Sequence, residues 1–217
     1  MTDIRILSGP ELKALLTMPD AIEAMRTAFV ALQEKRAQIP PRIHMDIAEP
    51  AGVALFMPAY ANGAIGIKTV TLFDDNPSNG LPFIQGTYCL FDGTNGQPAA
   101  FMDGSALTAI RTGAASGLAT DYLARDDAES VAILGGGVQG RTQLEAMCAV
   151  RAIKRATVYD PFPASAKRFA EDMAERLGIP ITIAVTAKEA ICDADIVCAA
   201  TVSSTPVFDD CDLAPGT

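Results

Sequence analysis

Three glycines, Gly135, Gly137 and Gly140, stand in VAILGGGVQGRTQLEAM (131–147), directly after an apolar run and directly before a stretch with helical spacing. That context gives the pattern G-x-G-x-x-G its chemical meaning. The first glycine permits a tight turn, the second lets backbone approach a pyrophosphate, and the third lets the helix pack on the strand. The helix N-terminus then offers unpaired N–H groups and partial positive charge to phosphate. Asp160 lies 20 residues beyond Gly140, at the end of the next apolar segment, where a carboxylate accepts hydrogen bonds from an adenosine ribose diol. Its charge opposes a 2′-phosphate and no arginine follows it immediately, so NAD is expected over NADP. FAD enzymes share the fingerprint but usually carry it near the N-terminus. Here about 130 residues precede it, which favours a nicotinamide cofactor.

Other chemistry is poorly provided for. His44 is the only histidine, and no ligand cluster surrounds it, so neither a metal site nor a Ser-His-Asp triad is expected. The five cysteines are an odd number without a C-x-x-C pair, which suits free thiols in a reducing cytoplasm. Cys192 and Cys198 are expected to flank a strand and to serve packing alone.

The elements that must position the glycine turn follow a regular order. After Asp126 and Asp127 the chain alternates SVAIL, the glycine turn with VQGRTQLEAMCAV, ATVYD, a helix around ASAKRFAEDMAERLG, ITIAV, a short helix near AKEAI, and DIVCAAT. Strands alternating with helices imply a parallel, doubly wound sheet. Before it, SALTAIRTGAASGLATDYLA (105–124) reads as a helix rich in small residues, consistent with tight helix–sheet packing. Between Pro40 and Ala100, β-rich pieces such as GVALFMPAY, AIGIKTVTLF and FIQGTYCLFD alternate with DDNPSNGLP and DGTNGQP, predicting a small, mostly antiparallel sheet. The first 40 residues read as helical, with capping boxes at Ser8/Glu11 and Asp20/Glu23. In the second of these helices Ile22, Met25, Ala28, Phe29 and Leu32 recur at helical spacing and predict one buried face.

Composition bounds the function. Hydrophobic residues make up 49% of 217, enough for a packed core. A net charge of −9 disfavours nucleic acid and anionic membrane surfaces, which need clustered Lys and Arg. No apolar run approaches the length of a membrane span, and MTDIRILSGPELK has no apolar signal core, so a cytoplasmic location is expected.

The motifs MPAY (57–60), GIKTV (66–70), NPSNGLP (76–82), LTAIRTGAASGLAT (107–120), GGGVQGRTQ (135–143) and ATVSSTPVF (200–208) resemble the ornithine cyclodeaminase/mu-crystallin family over essentially the whole chain, in order. The resemblance implies an α/β architecture: an N-terminal α+β substrate-binding and dimerising domain, residues 1–120, beside a Rossmann domain, residues 121–217. It implies chemistry on α-imino or α-amino acids and a homodimer. The family's carboxylate-binding arginine maps to Arg42 in IPPRIHM, its active-site lysine to Lys68 in GIKTV, and its second arginine to Arg111 in LTAIRTG. The chemistry is consistent with this. A C=N bond beside a carboxylate calls for a bidentate guanidinium and for a group that shares a proton with nitrogen. Thr112 resembles the segment lying against the nicotinamide end. Val138 and Gln139 occupy the phosphate turn, and Thr201 and Val202 follow the fourth strand, where a cofactor ribose lies.

Two departures from the family pattern bear on function. Where ornithine cyclodeaminases carry a glutamate before the Met-Pro pair, this chain has Leu55, which favours a smaller or less cationic substrate and reductase chemistry over cyclodeamination. The family also continues past APGT (214–217) into further strands and a catalytic aspartate, so an incomplete Rossmann sheet is expected, and none of Asp209, Asp210 and Asp212 has that aspartate's context. The leading expectation is reduction of an α-imino acid such as Δ1-pyrroline-2-carboxylate. The alternatives are ornithine cyclodeaminase, by loan and return of hydride, and a non-catalytic dinucleotide or small-ligand binding protein.

Overall fold

The computed structural model describes residues 3–217; Met1 and Thr2, the start of the expected 1–120 domain, lie outside the described residues. The chain forms two compact units, one of Met1–Thr17 with Ala24–Thr108, the other of Met18–Glu23 with Ala109–Thr217.

The first unit is built on a six-stranded sheet ordered β1-β6-β5-β4-β3-β2. Its strands are β1 (Arg5–Leu7), β2 (Ile43–Ile47), β3 (Gly52–Ala61), β4 (Ala64–Phe73), β5 (Ile84–Asp92) and β6 (Pro98–Asp103). Two of its strands, β3 and β4, run to ten residues each and pair along their full length from Gly52–Phe73 to Ala61–Ala64. Asn62 and Gly63 at the hairpin tip both have positive φ, 50° and 75°, as a tight two-residue connection demands. The sheet is antiparallel except at one edge, where β1 runs parallel to β6. That strand corrects the helical reading of the first 40 residues. Three residues are too few to show a period, and a partner nearly a hundred positions away decides the conformation.

Two helices lie between β1 and β2. Helix α1 (Gly9–Leu15) has the expected cap, the Glu11 carboxylate accepting from the Ser8 N–H at 2.8 Å and from its hydroxyl at 2.6 Å. Helix α2 (Met18–Gln33) starts at Met18, so Asp20 stands inside its first turn, where its charge suits the helix dipole, and not at the N-cap position. The expected buried face of α2 is also only partly right. Met18, Ala21, Ile22 and Ala31 are buried, but Phe29 is 48% and Leu32 47% exposed. An apolar stripe on a helix shows what prefers to leave water, not which part of it the same chain covers.

The second unit holds a four-stranded parallel sheet ordered β10-β7-β8-β9, from β7 (Ser130–Leu134), β8 (Arg155–Tyr159), β9 (Ile181–Ile183) and β10 (Ile196–Ala199). All five residues of β7 are buried, as a central strand covered on both faces requires. Cys198 lies inside β10 and not beside it; burial pushes its thiol up to about 12. Helices α3 (Gly104–Leu123), α4 (Val138–Val150), α5 (Pro163–Leu177) and α6 (Ala187–Ile191) complete the fold. At its start α3 packs on the sheet as expected, where a Cβ on Gly104 would stand 2.7 Å from the Thr87 nitrogen of β5; farther along its small residues serve a helix–helix contact. A Cβ on Gly113 would stand 2.5 Å from the Thr142 carbonyl oxygen of α4, and one on Gly117 3.0 Å from the Ala146 Cβ. Among the described residues no helix is long and apolar enough to cross a membrane.

One side chain fastens β7 to the turn before β10. The Asp195 carboxylate accepts from the Glu129 and Ser130 N–H groups at 2.9 and 3.0 Å and from the Ser130 hydroxyl at 2.8 Å, and it pairs with Arg125. The Glu129 N–H, then the Ser130 bonds and the Arg125 charge, hold this carboxyl below the usual range against the opposing effect of burial. A depressed folded pKa contributes stability that is present above the unfolded value and lost as pH falls through the folded one. Asp195→Asn is therefore expected to lose about 1–3 kcal/mol at neutral pH and to flatten the decline of stability below about pH 4, as urea titrations across that range would show. An unchanged acid slope would count against this role.

Candidate functional site

At the C-terminal end of β7 the three glycines do three different things. Gly135 has φ of 104°, and a Cβ there would meet the Ala200 carbonyl oxygen at 2.6 Å. A Cβ on Gly140 would stand 2.1 Å from the Gly135 carbonyl oxygen, so only glycine lets α4 sit on the turn. Gly137, the N-cap of α4, differs. A Cβ there would meet nothing within 4 Å, and the residue is exposed. The first and third positions are closed by the fold, and the second is open for something else to approach. The first-turn amides of α4, at Val138, Gln139 and Gly140, have no carbonyl partners within the helix.

Asp160 follows β8 and is fixed by two backbone donors. Its Oδ2 accepts from the Gly136 N–H and its Oδ1 from the Phe162 N–H, both at 2.9 Å. The carboxylate thus ties the loop after β8 to the glycine turn, with acceptor capacity remaining on each oxygen. Together these segments bound a cavity of about 520 Å³, lined among others by Gly135, Gly137, Asp160, Phe162, Thr201 and Val202. That volume falls within the range of small-molecule and cofactor pockets. Phe162 is 72% exposed at its rim, an apolar face that sequence reasoning missed, although the Asp-Pro-Phe-Pro run after β8 carried the signal.

Gln139, in the first turn of α4, has a side-chain Oε1 that is buried and unpartnered among the described residues. This orphaned acceptor calls for an O–H or N–H donor, such as a ribose hydroxyl or an amide, and is not met by a phosphate oxygen. The donor set suits the pyrophosphate and ribose of a dinucleotide: N–H groups at a helix N-terminus for one, a fixed carboxylate for the other.

Arg111 and Thr112 also belong to the second unit, on α3, with Arg111 exposed and Thr112 half-buried. Arg42 and Lys68 belong to the first unit. Lys68 is half-buried in the middle of β4, directly across from Met57 on β3 and Tyr88 on β5. Side chains at paired positions share a face of a sheet, so Lys68, Met57, Tyr88 and, two residues along, Leu55 all stand on one side. Arg42 immediately precedes β2, whose first pair is Ile43 with Phe56. Continued by one step, that register leads Arg42 to Met57. The row then reads Arg42, Met57, Lys68, Tyr88. No described residue pairs with the Arg42 or Arg111 guanidinium, whereas most other arginines of the chain are engaged. His44, on the same face across from Leu55, holds Asp46 at 3.0 Å on the edge strand. Among the described residues no group of three His, Cys, Asp or Glu is placed to hold a metal ion.

The chain is similar to several known proteins. A Δ1-pyrroline-2-carboxylate reductase of Bacillus cereus is 37% identical over 207 residues, which cover 94% of this chain and 64% of that enzyme. The solved structure of Thermococcus litoralis Δ1-pyrroline-2-carboxylate reductase, in complex with NADH and L-proline, matches with a TM-score of 0.92 and 41% identity, over 99% of this chain and 67% of that one. An archaeal alanine dehydrogenase dimer with bound NAD matches with a TM-score of 0.89 and 33% identity, over 99% and 65%. The chain therefore spans about two thirds of the length of these relatives. The family model for ornithine cyclodeaminase/mu-crystallin proteins matches residues 4–217, and the chain belongs to that family.

Proposed function

We propose that this protein is an NAD-dependent reductase of α-imino acids, taking Δ1-pyrroline-2-carboxylate or a close analogue to the amino acid. The observation that carries the reading is one chain holding both a glycine turn tied down by Asp160 and a half-buried lysine in register with an unpaired arginine. Bound NADH supplies a hydride to the imine carbon. The first-turn amides at Val138, Gln139 and Gly140, above the open Gly137, hold the pyrophosphate. Asp160, Thr201 and Val202 line the adenosine ribose, Gly135 shapes the turn, and Thr112 supports the nicotinamide end. Arg42 forks onto the substrate carboxylate, and Lys68 holds a proton at the imine nitrogen, so that hydride at carbon and proton at nitrogen balance the reduction. Arg111 enters as a second carboxylate ligand by family likeness. Residues 1–120 serve substrate binding and dimer contact, with Thr112 reaching the nicotinamide end, and residues 121–217 bind the rest of NAD.

Leu55 favours reduction over cyclodeamination. It stands on the Lys68 face, across from Val70, with no charge to meet a second amino group. Mixing the protein with NADH and pyrroline-2-carboxylate should oxidise NADH and yield proline. Proline formed from ornithine with catalytic NAD and no net NADH change would select the cyclodeaminase reading instead. NADH binding without turnover of any imino acid would leave a binding protein.

Asp160 sets the cofactor preference in this reading. Asp160→Asn is expected to weaken NADH about tenfold or more, the value of a charge-assisted hydrogen bond, and to narrow its advantage over NADPH, measured by fluorescence titration. An unaltered preference would remove Asp160 from the ribose site.

The assembly is a homodimer in this reading. On the sheet face opposite Lys68, Ile6, Ile43, Met45 and Phe101 are all exposed, an apolar surface suited to a second copy. Light scattering on the purified protein tests it; a monomer at micromolar concentration would refute it.

A further inference from the structure

We infer that Tyr88 is the specificity wall of the Lys68 face, its phenol ring limiting the size of the imino-acid body that fits beside the lysine. The inference rests on the reading that this face receives the imino acid.

The register supplies the first argument. In the row Arg42, Met57, Lys68, Tyr88, the lysine separates the arginine from the tyrosine. A substrate whose carboxylate lies toward Arg42 and whose nitrogen lies toward Lys68 therefore extends its carbon body toward Tyr88. Fit supplies the second. The Tyr88 ring leans along the neighbouring strand over Gly66: a Cβ on Gly66 would stand 1.8 Å from the Tyr88 hydroxyl oxygen and 2.6 Å from Cζ. Gly66 lies two residues before Lys68, on the same face, and is the only residue type that leaves room for the phenol. Neither position explains the other through the sheet itself, since a larger residue at 66 with a smaller one at 88 would pair equally well.

Bonding supplies the third. The Tyr88 hydroxyl has no hydrogen-bond partner among the described residues, so shape seats the ring and no polar anchor holds it. Burial pushes the phenol above its ordinary value, which keeps it neutral and suits it to an apolar contact.

The test measures kcat/KM with NADH for the five-membered pyrroline-2-carboxylate and for its six-membered homologue, which carries one more methylene. One methylene in a shaped pocket changes selectivity by about 10–200-fold. Tyr88→Ala and Tyr88→Leu are each expected to shift the ratio toward the six-membered ring by about tenfold or more, while Tyr88→Phe, which keeps the ring, leaves it within about twofold. NADH affinity should not change in any variant, since the glycine turn is untouched. Folded Tyr88→Ala and Tyr88→Leu proteins with the wild-type ratio would overturn this inference alone. A wild-type protein that reduces neither imino acid overturns the parent reading and this one with it.

Discussion

Replacing Lys68 with methionine is expected to lower kcat for imino-acid reduction about 100- to 10,000-fold, the usual contribution of a placed proton donor, while the affinity for NADH stays at the wild-type value. Methionine keeps most of the lysine stem and loses only the ammonium, so the packing between Met57 and Tyr88 is preserved and β4 keeps its full-length pairing with β3. The loss is then chemical. Hydride arriving at carbon leaves charge on nitrogen unless a proton is shared there, and the rest of the row is a poor substitute: Met57 has no proton to give, Arg42 never releases one, and the Tyr88 phenol, held neutral by burial, leans away over Gly66. For the same reason Lys68→Arg should restore little activity although it restores the charge. The dinucleotide turn belongs to the other unit, and binding of NADH is the control that separates a damaged site from a damaged protein. A Lys68→Met protein within about threefold of wild-type kcat would remove the lysine from the reaction, because that is below the contribution of any acid or base.

The parts of this molecule that were legible in its sequence are those whose physics is local. The run SVAIL reads as a buried strand because all five residues are small or apolar, and all five are buried. Two glycines of the turn are legible because each answers a contact within a few residues or one strand away, Gly140 with Gly135 and Gly135 with Ala200, while Gly137 faces open space. Asp160 was legible by its distance from the turn, but its two backbone bonds, which hold it there, were not. The parallel pairing of β1 with β6, the fit of Tyr88 over Gly66 and the Asp195 clasp each depend on which distant segments meet. A register is settled by the whole sheet, and no period within one strand encodes it. The exposed Phe29 and Leu32 make the complementary point, since their spacing showed an apolar stripe and could not show what covers it.

The same distinction singles out Arg151, which belongs to no motif and is expected to be the most costly charged residue to remove from the second unit. It follows α4 directly, yet its side chain is only 7% exposed because it reaches back to the end of α3. There its Nη2 donates to the carbonyl oxygens of Thr120, Asp121 and Ala124 at 3.1, 3.0 and 2.8 Å, and its Nε to that of Arg125 at 2.9 Å. The last carbonyls of a helix lack partners within it and carry partial negative charge, so one planar cation with several fixed donors both pairs them and offsets their dipole. Asp121, at 3.5 Å, adds a charge partner. Arg151→Met keeps the apolar stem and takes the charged donors from these part-buried and exposed carbonyls, of which those of Thr120 and Arg125 retain a backbone N–H from Ala124 and Ala128, a loss of about 3 kcal/mol, the upper end for a hydrogen-bonded charged group. Arg151→Lys should recover only part of it, because three donors on a point charge cannot span the same carbonyls. The exposed pair Lys167–Glu171, 3.8 Å apart on α5, is the control, and Lys167→Met should cost under about 0.5 kcal/mol. Urea unfolding of the three variants side by side distinguishes the cases. If Arg151→Met costs no more than Lys167→Met, water replaces the guanidinium at those carbonyls, and α3 ends there without need of α4.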